Sequence, residues 1–146
     1  MNVHNVVERI IEKYKTCSPY ELADFMGISI HRCELGTIRG YYSKKFRIKQ
    51  IVLNCNLSEK DERFVLAHEL GHAIMHENLN TPFLMKNTLF SKNKFEKEAN
   101  TFAIELLVPD AEIIEHPDLT IGQLARMTGY SEELLKCKNI FMDNTP

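Results

Sequence analysis

No uninterrupted apolar stretch in this sequence approaches the ~20 residues needed to cross a bilayer, so an integral membrane protein is not expected. An excess of charge of one sign is also missing. The 18 Lys and Arg stand against 20 Asp and Glu, a formal net charge of -2, which gives no global electrostatic case for nucleic acid or an anionic membrane. Any partner has to be argued from a site. Cys17, Cys33, Cys55 and Cys137 are scattered with no C-x-x-C pair, which offers neither a finger spacing nor a disulfide framework. The first residues carry Glu8 and Glu12 where a secretory leader would have a basic stretch and an apolar one, so a reducing, cytoplasmic protein is expected. Repeats and low-complexity tracts are absent. What remains is 146 residues, 44% hydrophobic and 26% charged, read as one domain over 1–146. At this length a core buries roughly two thirds of the unfolded surface and stands without disulfides.

Val3, Val6, Val7, Ile10, Ile11 and Tyr14 recur at helical spacing, which predicts an opening amphipathic helix. Ser18, Pro19 and Glu21 resemble a capping box with proline at the first helical position, starting a short helix that Gly27 ends, so 1–27 holds two helices. From 28 to 57 β-branched and aromatic residues, broken by Gly36 and Gly40, predict an antiparallel three-stranded meander. Ser58 with Asp61 caps a helix running to about Glu77, whose apolar residues occur nearly all round, as befits a central buried helix. Residues 78–94 read as a long loop, a candidate lid, with Phe83, Leu84, Met85, Leu89 and Phe90 covering the core. A further helix spans about Phe95 to Val108, closing the 58–108 segment, and short helical pieces fill the tail, 109–146. The class is α+β, a small sheet packed on a central helix with further helices.

That central helix contains His68, Glu69, Leu70, Gly71 and His72, the pattern H-E-x-x-H. Four residues advance about 6 Å with roughly 400° of turn, so both imidazoles leave one face and can chelate one ion. Zinc takes imidazole nitrogen, and Glu69, about 100° round the helix, can serve a water in an open position without occupying the metal. A third ligand must come from elsewhere. On the 95–108 helix Glu96 shares its stripe with Ala99, Asn100, Ala103 and Leu107, whereas Glu98 shares a polar one with Lys94, Thr101 and Glu105 that should face solvent. Glu96 is therefore the inward carboxylate, and Asn100, one turn on, can hold a ligating histidine by its second ring nitrogen. Two His and one Glu leave a fourth zinc position for water, the mark of a hydrolytic site. Glu69 would then be the proton carrier of amide hydrolysis.

With H-E-L-G-H-A-I-M-H at 68–76, and Glu96, Ala99, Asn100, Phe102, Ala103, Leu106, Leu107 and Pro109 as E-x-x-A-N-x-F-A-x-x-L-L-x-P, the chain resembles the ImmA/IrrE family of metallopeptidases over roughly residues 18–110. The resemblance implies a zincin-like fold, metal ligands at His68, His72 and Glu96, and a catalytic Glu69. It also implies an endopeptidase whose substrate is a helix-turn-helix repressor controlling a mobile element or a stress response. The competing reading from another class is a metal-stabilised interaction module that inactivates its partner by binding alone.

Other residues carry weaker signals. His76 continues the ligand stripe but lies about 12 Å along the axis from His68, too far for one tetrahedron. It is left to orient substrate or pair with a carboxylate. Gly71 inside a helix costs about 1 kcal/mol relative to Ala and implies a close neighbour. Tyr41, Tyr42, Tyr130 and His116 are each able to stabilise an oxyanion, and the sequence does not choose among them. Arg32, Arg39, Lys44, Lys45, Arg47 and Lys49 give the sheet a basic rim. Ala125, Gly129 and Leu135 mimic helix-turn-helix spacing, yet Glu132 and Glu133 would open the recognition helix with like charge to phosphate, so direct DNA binding is not expected.

Overall fold

The structure, a computed structural model, describes residues 2–79 and 93–142. The expected lid, with Phe83, Leu84, Met85, Leu89 and Phe90, lies outside the described residues. The first helix, α1, runs Val3–Tyr14 with Asn2 as its cap and buries Val3, Val7 and Ile10 on one stripe. Helix α2, Pro19–Phe25, starts at Ser18, whose hydroxyl accepts from the Glu21 amide. The reciprocal half of the expected capping box is missing: Glu21 accepts from the Thr16 hydroxyl instead, and Thr16 Oγ1 takes the Ser18 amide.

Strands β1 (Ser29–Cys33), β2 (Gly40–Lys45) and β3 (Ile48–Asn54) form the three-stranded sheet. The meander expected from the pattern is not its topology. The order is β1-β3-β2, with β2 antiparallel to β3 but β1 parallel to it, Ser29 facing Gln50 and Cys33 facing Asn54. Period-2 patterning reveals which residues alternate, and pairing partners are a non-local matter that it does not encode. The β2–β3 turn is Phe46-Arg47, both at positive φ (52° and 67°), the geometry of a tight type I′ connection usually given to Asn-Gly. Gly40 proves to be no break. It opens β2 where a Cβ would come within 2.8 Å of Val65 Cγ1, so its bareness lets the sheet lie directly on the central helix.

That helix, α3, spans Glu59–Met75. Ser58 caps the Asp61 amide, and Glu59, Asp61 and Glu62 in the first turn suit the positive end of the helix dipole. Every residue from Phe64 to Ala73 is buried, because the sheet, α2 and α4 (Lys94–Leu107) cover it from different sides. Pro109 ends α4 and caps α5 (Asp110–Ile114). Helices α6 (Ile121–Thr128), α7 (Glu132–Leu135) and α8 (Asn139–Met142) follow. Thr120 and Gln123 form a true capping box on α6, and Gly129 closes it at φ 82°. Leu124, Leu134 and Leu135 insert into the same core as α1 and α3. No helix among the described residues is long and apolar enough to cross a membrane.

The expected solvent stripe of α4 needs correction at its far end. Glu105 is buried, taking the Lys138 ammonium, the Asn139 amide and the His4 ring, because α1 and the tail helices pack on the side of α4 that the one-sided reading left to water. The basic rim is also largely spoken for: Arg32 is bidentate to Glu62, Arg39 approaches Asp61, and Lys44 and Lys49 meet Glu77. Acidic residues at both ends of α3 neutralise it.

Candidate metal centre

Asn93 caps α4 by accepting from the Phe95 and Glu96 amides, which sets Glu96 in the first turn, facing α3. Against it stand the rings of His68 and His72, with centroids 4.9 Å apart on the same face of α3. The Glu96 carboxylate spans both. His68 Nε2 lies 3.1 Å from Oε2 and His72 Nε2 lies 2.8 Å from Oε1. Glu69 Oε2 is 3.9 Å from His68 Nε2, and the four side chains are buried. Asn100 Oδ1 accepts from His68 Nδ1 at 2.8 Å, the position expected for it from one helical turn of separation. With Nδ1 engaged by Asn100, His68 presents Nε2 to Glu96, and a metal taking the place of the Nε2 proton would bind at that atom.

A divalent cation fits this arrangement. His72 Nε2 and Glu96 Oε1 are buried and close, yet neither has a well-formed hydrogen bond among the described residues. Two acceptors facing each other out of water are costly, and a cation between them removes the cost for both. Donor atoms from His68, Glu69 and His72 all lie within 4.8 Å of one another. Two imidazole nitrogens and a carboxylate are a borderline-soft set that suits zinc and its neighbours in the first transition row. A second cluster, His4, Glu105 and Asp110, is also compact, but there the Lys138 ammonium already holds the place a cation would take.

The charges agree with the geometry. Burial pushes the Glu96 carboxyl up, but the imidazoles of His68 and His72 set against it outweigh this and bring it down to about 2, so Glu96 is a carboxylate. Burial depresses His68 as well; the bond to Glu96 and the negative charges of Glu69 and Glu96 reverse this and raise it. His72 ends lowered, by burial first and by its histidine neighbours, despite Glu96. A neutral His72 beside ionised Glu96 is the protonation state a metal requires.

One residue needs correcting. His76 is buried and pairs with a carboxylate, one of the roles left to it: its Nδ1 lies 3.0 Å from His72 Nδ1 and its Nε2 lies 2.9 Å from Glu98 Oε1. Glu98 therefore turns toward α3, not to solvent. His76 caps α3 with φ -133° and ψ 47°, off the helical path. Gly71 faces the Phe102 side chain, whose Cβ would be 3.0 Å from an added Cβ. Of the four oxyanion candidates, Tyr42 is committed elsewhere, donating to the Glu77 carbonyl at 2.7 Å. Tyr130 sits 6.0 Å from Phe64, whose ring neighbours His68 at 6.4 Å. His116 is exposed, and Tyr41 is half-buried in β2.

The chain is similar to known proteins. The chain is 44% identical over 137 residues to "Uncharacterized immunity region protein 2" of Bacillus phage phi105, covering 92% of this chain and 87% of that protein. It is 30% identical over 131 residues to "Metallopeptidase ImmA" of Bacillus subtilis strain 168, covering 90% of this chain and 73% of that one. Residues 23–138 match the Peptidase M78 family, described as the IrrE N-terminal-like domain. That span takes in every residue of the centre, and the chain belongs to this family of metallopeptidases.

Proposed function

We propose that this chain is a zinc-dependent endopeptidase that cleaves a protein substrate, a helix-turn-helix transcriptional repressor of a mobile element or stress response. The observation that carries the reading is the convergence of His68 Nε2, His72 Nε2 and both Glu96 oxygens from two neighbouring helices. The ligands in this reading are His68, His72 and Glu96, with Glu69 catalytic. When bound, the metal supplies Lewis acidity that polarises the scissile carbonyl and lowers the pKa of a water from 15.7 toward ~7. Glu69 Oε2, 3.9 Å from His68 Nε2, takes a proton from the attacking water and delivers it to the leaving amine nitrogen. Asn100 keeps the His68 proton on Nδ1, and the buried setting keeps charges strong by excluding bulk water. The repressor substrate is supported by the names of the relatives, one an immunity region protein and one a metallopeptidase.

The test uses purified chain loaded with stoichiometric zinc and mixed with the repressor encoded beside it. New fragments are expected, and Glu69→Gln should keep its zinc while leaving the repressor whole. Loss of repressor function with no fragment would overturn the peptidase and favour an inactivating binding module.

A further inference from the structure

Besides the metal-facing side chains and the bond from His68 to Asn100, a polar chain links α4 to the end of α3: Glu98 Oε1 to His76 Nε2 at 2.9 Å, then His76 Nδ1 to His72 Nδ1 at 3.0 Å. Phe95 closes the other side of His76, edge to face at 4.8 Å, so the ring has little room to turn. We infer that His76 and Glu98 are positioning residues that fix the tautomer and the aim of His72.

The direction of the chain follows from chemistry. A carboxylate is an acceptor only, so His76 must donate from Nε2. A neutral imidazole protonated there carries its lone pair on Nδ1 and accepts from His72 Nδ1–H. His72 is left with its own lone pair on Nε2, the atom that lies 2.8 Å from Glu96 Oε1 without a well-formed hydrogen bond. The two histidines of the centre are thus served by different devices: a side-chain amide, Asn100, behind His68, and a histidine–carboxylate pair behind His72. Asn100, Glu98 and Glu96 all sit on α4, so both devices couple the aim of a histidine to the placement of the carboxylate ligand. Partners of this kind orient a ligand and raise its basicity, and their loss typically costs 10–100-fold in metal affinity.

This inference rests on the metal reading above, and the experiment separates the two. Zinc affinity is measured by chelator competition for the wild type, His76→Leu, His76→Asn and Glu98→Gln. Long-range proton–nitrogen spectra of the zinc-loaded wild type read the histidine tautomers directly. The wild type should bind one zinc, with His72 protonated on Nδ1 and His76 on Nε2. His76→Leu should lose ten- to a hundredfold in affinity. His76→Asn, which keeps an acceptor oxygen near the Nδ1 position, and Glu98→Gln, which keeps the oxygen that accepts from Nε2, should each stay within a few-fold of wild type. Equal affinity of His76→Leu and wild type, equal losses in the Leu and Asn variants, or a His72 proton on Nε2 would each overturn the positioning role while leaving the metal reading standing. Failure of the wild type to take zinc would overturn both.

Discussion

Replacing Gly71 by alanine sets two effects of similar size against each other at the seam between α3 and α4. In a helix interior alanine is favoured over glycine by about 1 kcal/mol. Here the added methyl would stand 3.0 Å from Phe102 Cβ, 3.1 Å from Cγ and 3.2 Å from Cδ1. Ordinary carbon contacts sit at about 3.5–4.0 Å, so roughly half an ångström is missing. Rotation of the ring does not supply it, because the nearest atom is Cβ, fixed to the α4 backbone, and Phe102 is fully buried. Helix must move from helix, and overpacking of this kind costs about 1–3 kcal/mol, so the net outcome is a destabilisation of about 0–2 kcal/mol. The larger consequence lies next door. His72 follows Gly71 and Glu96 rides on α4, and a shift of half an ångström exceeds the ~0.2 Å latitude of a metal–ligand distance. Gly71→Ala should therefore lose zinc affinity out of proportion to its stability. Urea unfolding of the metal-free variant and chelator competition of the loaded one measure the two effects separately. A variant about 1 kcal/mol more stable than wild type with unchanged zinc affinity would refute the argument, since it would mean that the seam has slack.

Zinc at a hundredfold excess over its dissociation constant should stabilise the wild type by about 2.7 kcal/mol, and Glu96→Ala should show no such gain in calorimetry. Lys138 is fully buried between Glu105 and the partly exposed Asp110, so Lys138→Met leaves buried Glu105 with only the Asn139 amide and the His4 ring and should cost up to about 3–5 kcal/mol in urea unfolding. Adding Glu105→Gln to that variant should recover a good part. The Glu62 carboxyl is held below its ordinary 4.5 chiefly by the hydrogen bond from Arg32. A lowered folded value gives stability that is present above the unfolded value and lost as pH falls through the folded one. With Arg32 half-exposed, the advantage of wild type over Glu62→Gln should be at most about 1 kcal/mol at pH 6 and should fade toward pH 3. An advantage that grows on acidification would contradict the pairing.

Much of the centre was legible because helical geometry is rigid and local. The spacing of His68 and His72 and the stripe of Glu96, Ala99 and Asn100 each fixed a face, and the faces meet as expected. What escaped was set by non-local contacts or by departures from ideal backbone. Pairing of β1 with β3 joins segments separated by all of β2, and no local pattern reports it. Phe46-Arg47 turns without glycine, asparagine or aspartate, so the hairpin carried no turn signal; surrounding structure imposes left-handed backbone that such residues adopt at a cost of about 1–3 kcal/mol each. Glu105 and Glu98 were assigned to water by a one-sided view of α4; the helix proves to be covered along its far half, and His76 draws Glu98 inward near its start. His76 keeps its place beside His72 at the end of the helix, and its pairing with Glu98 was one of the roles its spacing left open.

The middle place in the sheet belongs to the strand that arrives last. Ribbon β2–β3 closes across the two residues between Lys45 and Ile48, a contact that a nascent chain can find within microseconds. The pairing of β1 with β3 spans a much longer stretch of chain, and Arg32 ties β1 to Glu62 at the start of the helix bearing the histidines. By loop length alone the hairpin is expected to close before β1 docks, so the seam expected last is also the strap to α3. Loss of Arg32 is expected to loosen the outer strand more than it moves His68 and His72.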